Sequence, residues 1–144
     1  RELAAGEFFN AESTFNRVLL LALDHPLASA GRVHAQLGAG LYRAAAINLR
    51  KMIATHPELI DARFGSRLLP PLERVDAATA VLRQRLSGPD GADYGLLLAY
   101  LGHQVGNREL VHEGLEALPD GEDGTLRALL ERLWLNAPTT GDKP

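Results

Sequence analysis

Cysteine is absent from the 144 residues. That excludes disulfides and thiolate metal sites and leaves the redox compartment open. Aromatic side chains are scarce, at 6% of the chain with a single tryptophan. No apolar run approaches the ~20 residues that span a bilayer, since Leu19 to Leu23 is soon broken by Asp24, His25 and Pro26. There are few β-branched clusters and no sustained polar/apolar alternation, so sheet is not expected. What remains is a chain rich in alanine and leucine, 46% hydrophobic and 23% charged, a composition that predicts one soluble all-α domain with a sizeable core. The first residue is Arg1 and not methionine, which predicts a fragment or processed product whose targeting segment, if it has one, lies outside the sequence.

Net charge is −3, unevenly spread: −1 over residues 1–42, +4 over 43–85 and −6 over 86–144. The basic middle has neither a dense patch nor interleaved aromatics, so nucleic-acid binding is not expected, and neither is membrane association.

The stretch GLYRAAAINLRKMIATHP, from Gly40 to Pro57, organises the rest. Gly40 suits the positive φ that ends one helix and opens a turn, and Pro57 stops the next helix. Between them Tyr42, Ala45, Leu49 and Ile53 form one apolar stripe, with Arg43, Arg50 and Lys51 off it. Alanine at the centre of that stripe predicts a close helix crossing at Ala45. The same offsets recur at Gly6, Phe8, Ala11, Phe15 and Leu19, 34 residues earlier. They recur 33 residues later at Glu73, Val75, Ala78, Leu82 and Leu86, and after a further 33 at Gly106, Val111 and Leu115. In that last copy Arg108 replaces the first large apolar residue and Leu118 sits where the helix ends before Pro119.

A period of this kind predicts a stack of helix pairs. Leu27 to Ala39, Glu58 to Leu69 and Ala92 to Val105 supply the partner helices, and Arg1 to Ala5 reads as the tail of an earlier one. The run Gly88-Pro89-Asp90-Gly91 and the stretch Pro119 to Gly124 read as turns. Thr125 to Leu135, with Trp134, reads as a final helix covering the end of the stack. The domain is therefore expected over residues 1–136, with a disordered tail over 137–144.

On these residues the chain resembles the tetratricopeptide repeat family, with Gly40, Tyr42, Ala45 and Pro57 at the family's second-helix positions, Gly6, Phe8 and Ala11 repeating them, and Leu98 and Ala99 at first-helix positions. Pro26 falls three residues late, the family's first-helix tryptophan is absent, and Pro70-Pro71 interrupts the third unit. The resemblance implies a right-handed α-solenoid of antiparallel helix pairs, about three units plus a capping helix. It also implies a non-catalytic scaffold that binds a peptide or partner helix in its concave groove. The groove positions it assigns are His34, Arg63, Arg67, Tyr100, His103 and Gln104. Arg63 and Arg67, four residues apart, would share a helix face and favour an acidic or aromatic-bearing peptide. The family's basic clamp for C-terminal carboxylates is not matched.

The alternative is an oligomerisation or assembly element of a larger multidomain protein, a homo-oligomer where a neighbouring copy fills the groove, or one whose groove is filled by the rest of its own polypeptide. Signals for chemistry are weaker, and no catalytic residue, metal or cofactor is assigned. Gly38-Ala39-Gly40, with Asp61 beyond it, has two glycines of a dinucleotide turn, but Arg43 stands at the third position and no strand precedes it. His112 and Glu116 lie one helical turn apart but want a third ligand. His25 and His56 precede prolines and read as partners of helix C-termini. Ser13, Ser29, Ser66 and Ser87 have no nucleophile elbow, and Glu122 and Asp123 fall in a turn.

Overall fold

The computed structural model describes residues 11–14, 26–64, 68–119, 121 and 123–136. Among the described residues every regular element is helical and there is no strand. The helices are α1 (Pro26–Ala39), α2 (Tyr42–Thr55), α3 (Leu72–Gln84), α4 (Gly91–Val105), α5 (Arg108–Glu116) and α6 (Gly124–Leu130), which runs on into a π-helical turn over Glu131–Asn136. Gly6, Phe8, Phe15 and Leu19 of the first sequence copy lie outside the described residues, as do Arg1 to Ala5, His25, Ser66, Arg67, Glu122 and the 137–144 tail.

Two tight turns set the helix pairing. Gly40 and Gly106 are the positive-φ glycines, at 81° and 75°, and each ends its helix with the same pair of hydrogen bonds. Gly40 N donates to Leu37 O and Leu41 N to Gln36 O, while Gly106 N donates to His103 O and Asn107 N to Gly102 O. Both are Schellman caps, which satisfy carbonyls the helix end would leave open. With so few residues between them, α1 and α2 fold back as one hairpin and α4 and α5 as another, and both pairs are in extensive contact.

Helix α4 is the centre of the molecule. Eleven of its fifteen residues are buried, and Gly95 to Gln104 are buried without a break, as expected of a helix apolar all round. It packs against α2, α3 and α5. On the α5 side the approach is backbone to backbone: a Cβ on Gly95 would lie 2.5 Å from Gly114 O, and one on Gly102 would lie 2.8 Å from Val111 N. Gly114, which the sequence presents as a weak point in a helix, is therefore where the two helices cross.

The apolar stripes fall where the sequence puts them, with additions. Ala45 and Leu49 are wholly buried and Tyr42 and Ile53 pack at the margin of the core. Ala46 and Met52 are buried as well, because α2 packs against both α1 and α4 and so presents a wider face than one neighbour would need. Val75, Ala78 and Leu82 of α3 and Val111 and Leu115 of α5 are buried at the expected offsets. Ala11, in the described part of the first copy, packs on Ala35 and Ala39 of α1. Arg50, read from sequence as lying off the stripe, is an inter-helix clamp. Its Nε donates to Asp93 at 2.9 Å, and its two Nη atoms donate to Asp123 at 2.9 and 3.3 Å. It thus joins α2 to the first turn of α4 and to the start of α6.

The expected helix over Glu58 to Leu69 does not form. Pro57–Leu59 makes one 3₁₀ turn, and Ala62 to Phe64 have no regular structure. Pro70-Pro71 disfavours helical geometry just upstream, and Ile60, Phe64 and Pro70 turn inward onto the core.

Two pairs of substitutions test this packing. Ala45→Leu should cost about 1–3 kcal/mol by overpacking, whereas the partly exposed Ala44 should accept leucine with a smaller loss in denaturant melts. Gly114→Ala should also cost about 1–3 kcal/mol despite alanine's better helix propensity, because a Cβ there would lie 2.5 Å from Ala99 N. Gly124→Ala, with nothing within 4 Å, should be neutral or gain up to ~1 kcal/mol.

Candidate functional site

A non-helical backbone inside a helical domain must find hydrogen-bond partners elsewhere. Here α1, α4 and the C-terminal turn supply them. Trp134 Nε1 donates to Ile60 O at 2.9 Å. His103 Nε2 donates to Asp61 O at 3.2 Å. The Gln104 amide makes two bonds, Nε2 donating to Ala62 O at 2.8 Å and Oε1 accepting from Phe64 N at 2.9 Å. Those partners fix the amide's orientation, since only its nitrogen can serve a carbonyl and only its oxygen an N–H. On α1, His34 Nδ1 bonds to Leu68 O at 2.9 Å and His34 Nε2 lies 2.6 Å from Tyr100 Oη.

These chemical demands settle the tautomers. A carbonyl can only accept, so His34 carries its proton on Nδ1 and accepts the Tyr100 hydroxyl at Nε2. By the same logic His103 carries its proton on Nε2, which leaves Nδ1 as a buried acceptor without a partner among the described residues. The rings reinforce the arrangement: His103 stacks on Trp134 at 5.0 Å and 14°, and Phe64 meets His34 edge-on at 5.2 Å. Burial drives the His34 pKa down to about 4, against a smaller opposing effect of the Leu68 carbonyl. Burial also lowers His103 and raises Tyr100. Near neutral pH all three are uncharged.

The groove positions taken from the family resemblance need correction. His34, Tyr100, His103 and Gln104 are indeed neighbours, but they are 0%, 1%, 3% and 6% exposed, covered by the chain's own Ile60–Phe64 segment and by Trp134. Arg63 is exposed, but it sits in irregular backbone and not on a helix. The shared face argued for Arg63 and Arg67 from helical spacing is therefore lost, and Arg67 lies outside the described residues. With it goes the reason to favour an acidic ligand. Trp134 and Phe64 belong to this site and were missed as site residues: Trp134 reads from sequence as part of a capping helix, and Phe64 falls inside the expected helix without being singled out.

The other sequence candidates are accounted for locally. His112 and Glu116 form an exposed pair 3.5 Å apart on α5. Gly38-Ala39-Gly40 is the end of α1, where carbonyls and not N–H groups are presented. His56 caps α2 through its N–H to Met52 O and lies 3.4 Å from Glu58. A concavity of about 390 Å³ opens elsewhere, beside α1 and α2, lined by Arg32, Asn48, Lys51 and Thr55 among others.

Acid should weaken the fold through His34. Its folded pKa of about 4 lies below the ordinary ~6.5, so the unfolded chain binds the proton more readily. Stability is full above about pH 6.5 and falls as pH drops toward 4. Between pH 7 and pH 5 the parent should lose about 2 kcal/mol more than His34→Gln in denaturant melts. Equal losses would show that the imidazole keeps an ordinary pKa.

No family model matches the chain, and no solved structure matches it. A stretch of 53 residues is 49% identical to aklavinone 12-hydroxylase RdmE of Streptomyces purpurascens. That stretch is 37% of this chain and 10% of the relative, so the chain spans about a tenth of the protein it matches. A match of that extent shows neither a family nor an activity.

Proposed function

We propose that the chain is a non-catalytic protein-interaction module built as a right-handed, tetratricopeptide-like solenoid, and that it binds a peptide segment of a partner protein along the face shared by α1 and α4. The two hairpins, with matching Schellman caps at Gly40 and Gly106, support the repeat architecture. The observation that carries the binding role is the set of four bonds from Gln104, His103 and Trp134 to backbone groups of Ile60–Phe64. Side chains arranged to satisfy a non-helical backbone recognise a peptide by what every peptide has, and leave sequence preference to the apolar contacts beside them. An assembly element is the second reading. It draws on the same fact, because part of the chain's own polypeptide already fills this face.

Peptide-display selection against the folded domain tests the proposal. Aromatic-bearing peptides should be enriched, and a selected peptide should slow amide exchange in α1 and α4 while leaving the outer faces of α2 and α5 unchanged. Failure to enrich any sequence, or protection confined to α2 and α5, would overturn it.

A further inference from the structure

The segment Ile60–Phe64 is attached to the body in an unusual way for a connector. Its own backbone bonds are local turn bonds, Ile60 N to Pro57 O and Ala62 N to Leu59 O. The hydrogen bonds that tie it to α4 and the C-terminal turn, among the described residues, are side chains reaching backbone groups: Trp134 to Ile60 O, His103 to Asp61 O, and Gln104 to both Ala62 O and Phe64 N. A C=O at one residue and an N–H two residues on is the pair that an adjacent β-strand would engage. Gln104 imitates that neighbour with one amide. Of the segment's five side chains, Ile60 is buried and Phe64 packs on the core against His34, while Asp61 and Arg63 are exposed. Recognition thus consists of generic backbone contacts plus two apolar seats four residues apart.

We propose that Ile60–Phe64 is an intramolecular ligand that closes the α4 face, and that a partner peptide with a branched apolar residue followed four positions later by an aromatic one displaces it. This rests on reading the chain as an interaction module. If the segment simply left, Gln104, His103 and Trp134 would lose partners inside a largely buried site, which is unfavourable. An incoming peptide that makes the same bonds removes that penalty, so exchange of one peptide for the other is close to balanced. The resident segment keeps its place through its tether, which gives it an effective concentration on the order of mM. A partner must exceed that advantage, and the fraction of open molecules sets its apparent affinity. Weakening the resident copy without touching the seat therefore exposes the site.

The probe is a fluorescent peptide with the sequence of residues 57–64, PELIDARF, measured by anisotropy on the full 144-residue chain. Phe64→Ala should bind it at least tenfold more tightly than the parent, because the resident copy loses its aromatic anchor while the seat stays intact. Adding Gln104→Ala should reverse that gain at least tenfold, and a peptide with serine at the isoleucine and phenylalanine places should not bind. A Phe64→Ala protein that keeps the parent's circular dichroism and does not bind the peptide overturns the proposal, and so does binding indifferent to Gln104→Ala. If Phe64→Ala does not fold, native-state hydrogen exchange of the parent decides. The Phe64 amide should exchange at least tenfold faster than the core amide of Leu98, through local opening, and exchange of both at one rate overturns the proposal. Display-selected peptides that bind while the 57–64 peptide does not would leave the interaction module standing and remove the intramolecular ligand. Failure of both would remove the module reading itself.

Discussion

Backbone groups taken out of water must be paired, and Ile60–Phe64 lies in no helix that could pair them. The molecule meets that constraint with side chains borrowed from elements distant in sequence: Gln104 and His103 reach back 42 residues and Trp134 reaches back 74. Each of these bonds is also a tertiary contact, so the non-helical stretch, α4 and the C-terminal turn are joined by the same bonds. Trp134 illustrates the coupling. Its ring stacks on His103, its indole N–H holds Ile60 O, and its burial closes the end of the core. Losing any member leaves others buried and unpaired, and the penalty for that is larger than the value of a single bond.

The central helix explains how polar side chains can be held in the middle of the domain. In α4 the run Leu96 to Leu101 is continuous and buried, and Gly95, Gly102 and Gly114 let α5 approach to backbone contact. That close approach occupies one side of α4 with glycine and alanine, which leaves Tyr100, His103 and Gln104 free for another side. The Arg50 clamp to Asp93 and Asp123 ties α2 to the start of α4 and of α6. The network is thus framed by helices whose relative positions are set elsewhere, as a buried polar cluster requires if its geometry is to hold.

How much of this was legible follows from the range of each signal. Gly40 and Gly106 announce their turns because positive φ is a property of one residue, and the stripes of α2, α3 and α5 announce themselves because helical spacing is local. Glu58 to Leu69 misleads for the same reason. Its composition tolerates a helix up to Pro70-Pro71, and the long-range partners His34, His103, Gln104 and Trp134 favour the irregular path. The burial of those polar residues could not be read from the residues themselves, because what they bond to is backbone, and backbone is identical everywhere in the sequence. One clue was present. A tyrosine, histidine and glutamine follow the unbroken Leu96–Ala99 run on a helix too apolar to have a solvent face, and polar groups in such a helix need internal partners.

The chemistry of the network bears on what the site can do. His34 has both ring nitrogens engaged and a pKa pushed down to about 4, and Tyr100 is held neutral by burial. A general base needs a free lone pair and a pKa near the working pH, and His34 offers neither. His103 is the exception in the cluster: its Nδ1 is an acceptor left open, directed within a site otherwise fully bonded. The Gln104 amide and the Trp134 indole N–H beside it are both directed at backbone. The same bonds that hold Ile60–Phe64 define what could replace it, because a replacement must offer carbonyls at three successive positions and an N–H two residues beyond the last. A folded helix has those groups already paired internally, so under the proposed displacement the replacement is a segment with its backbone free and not a helix.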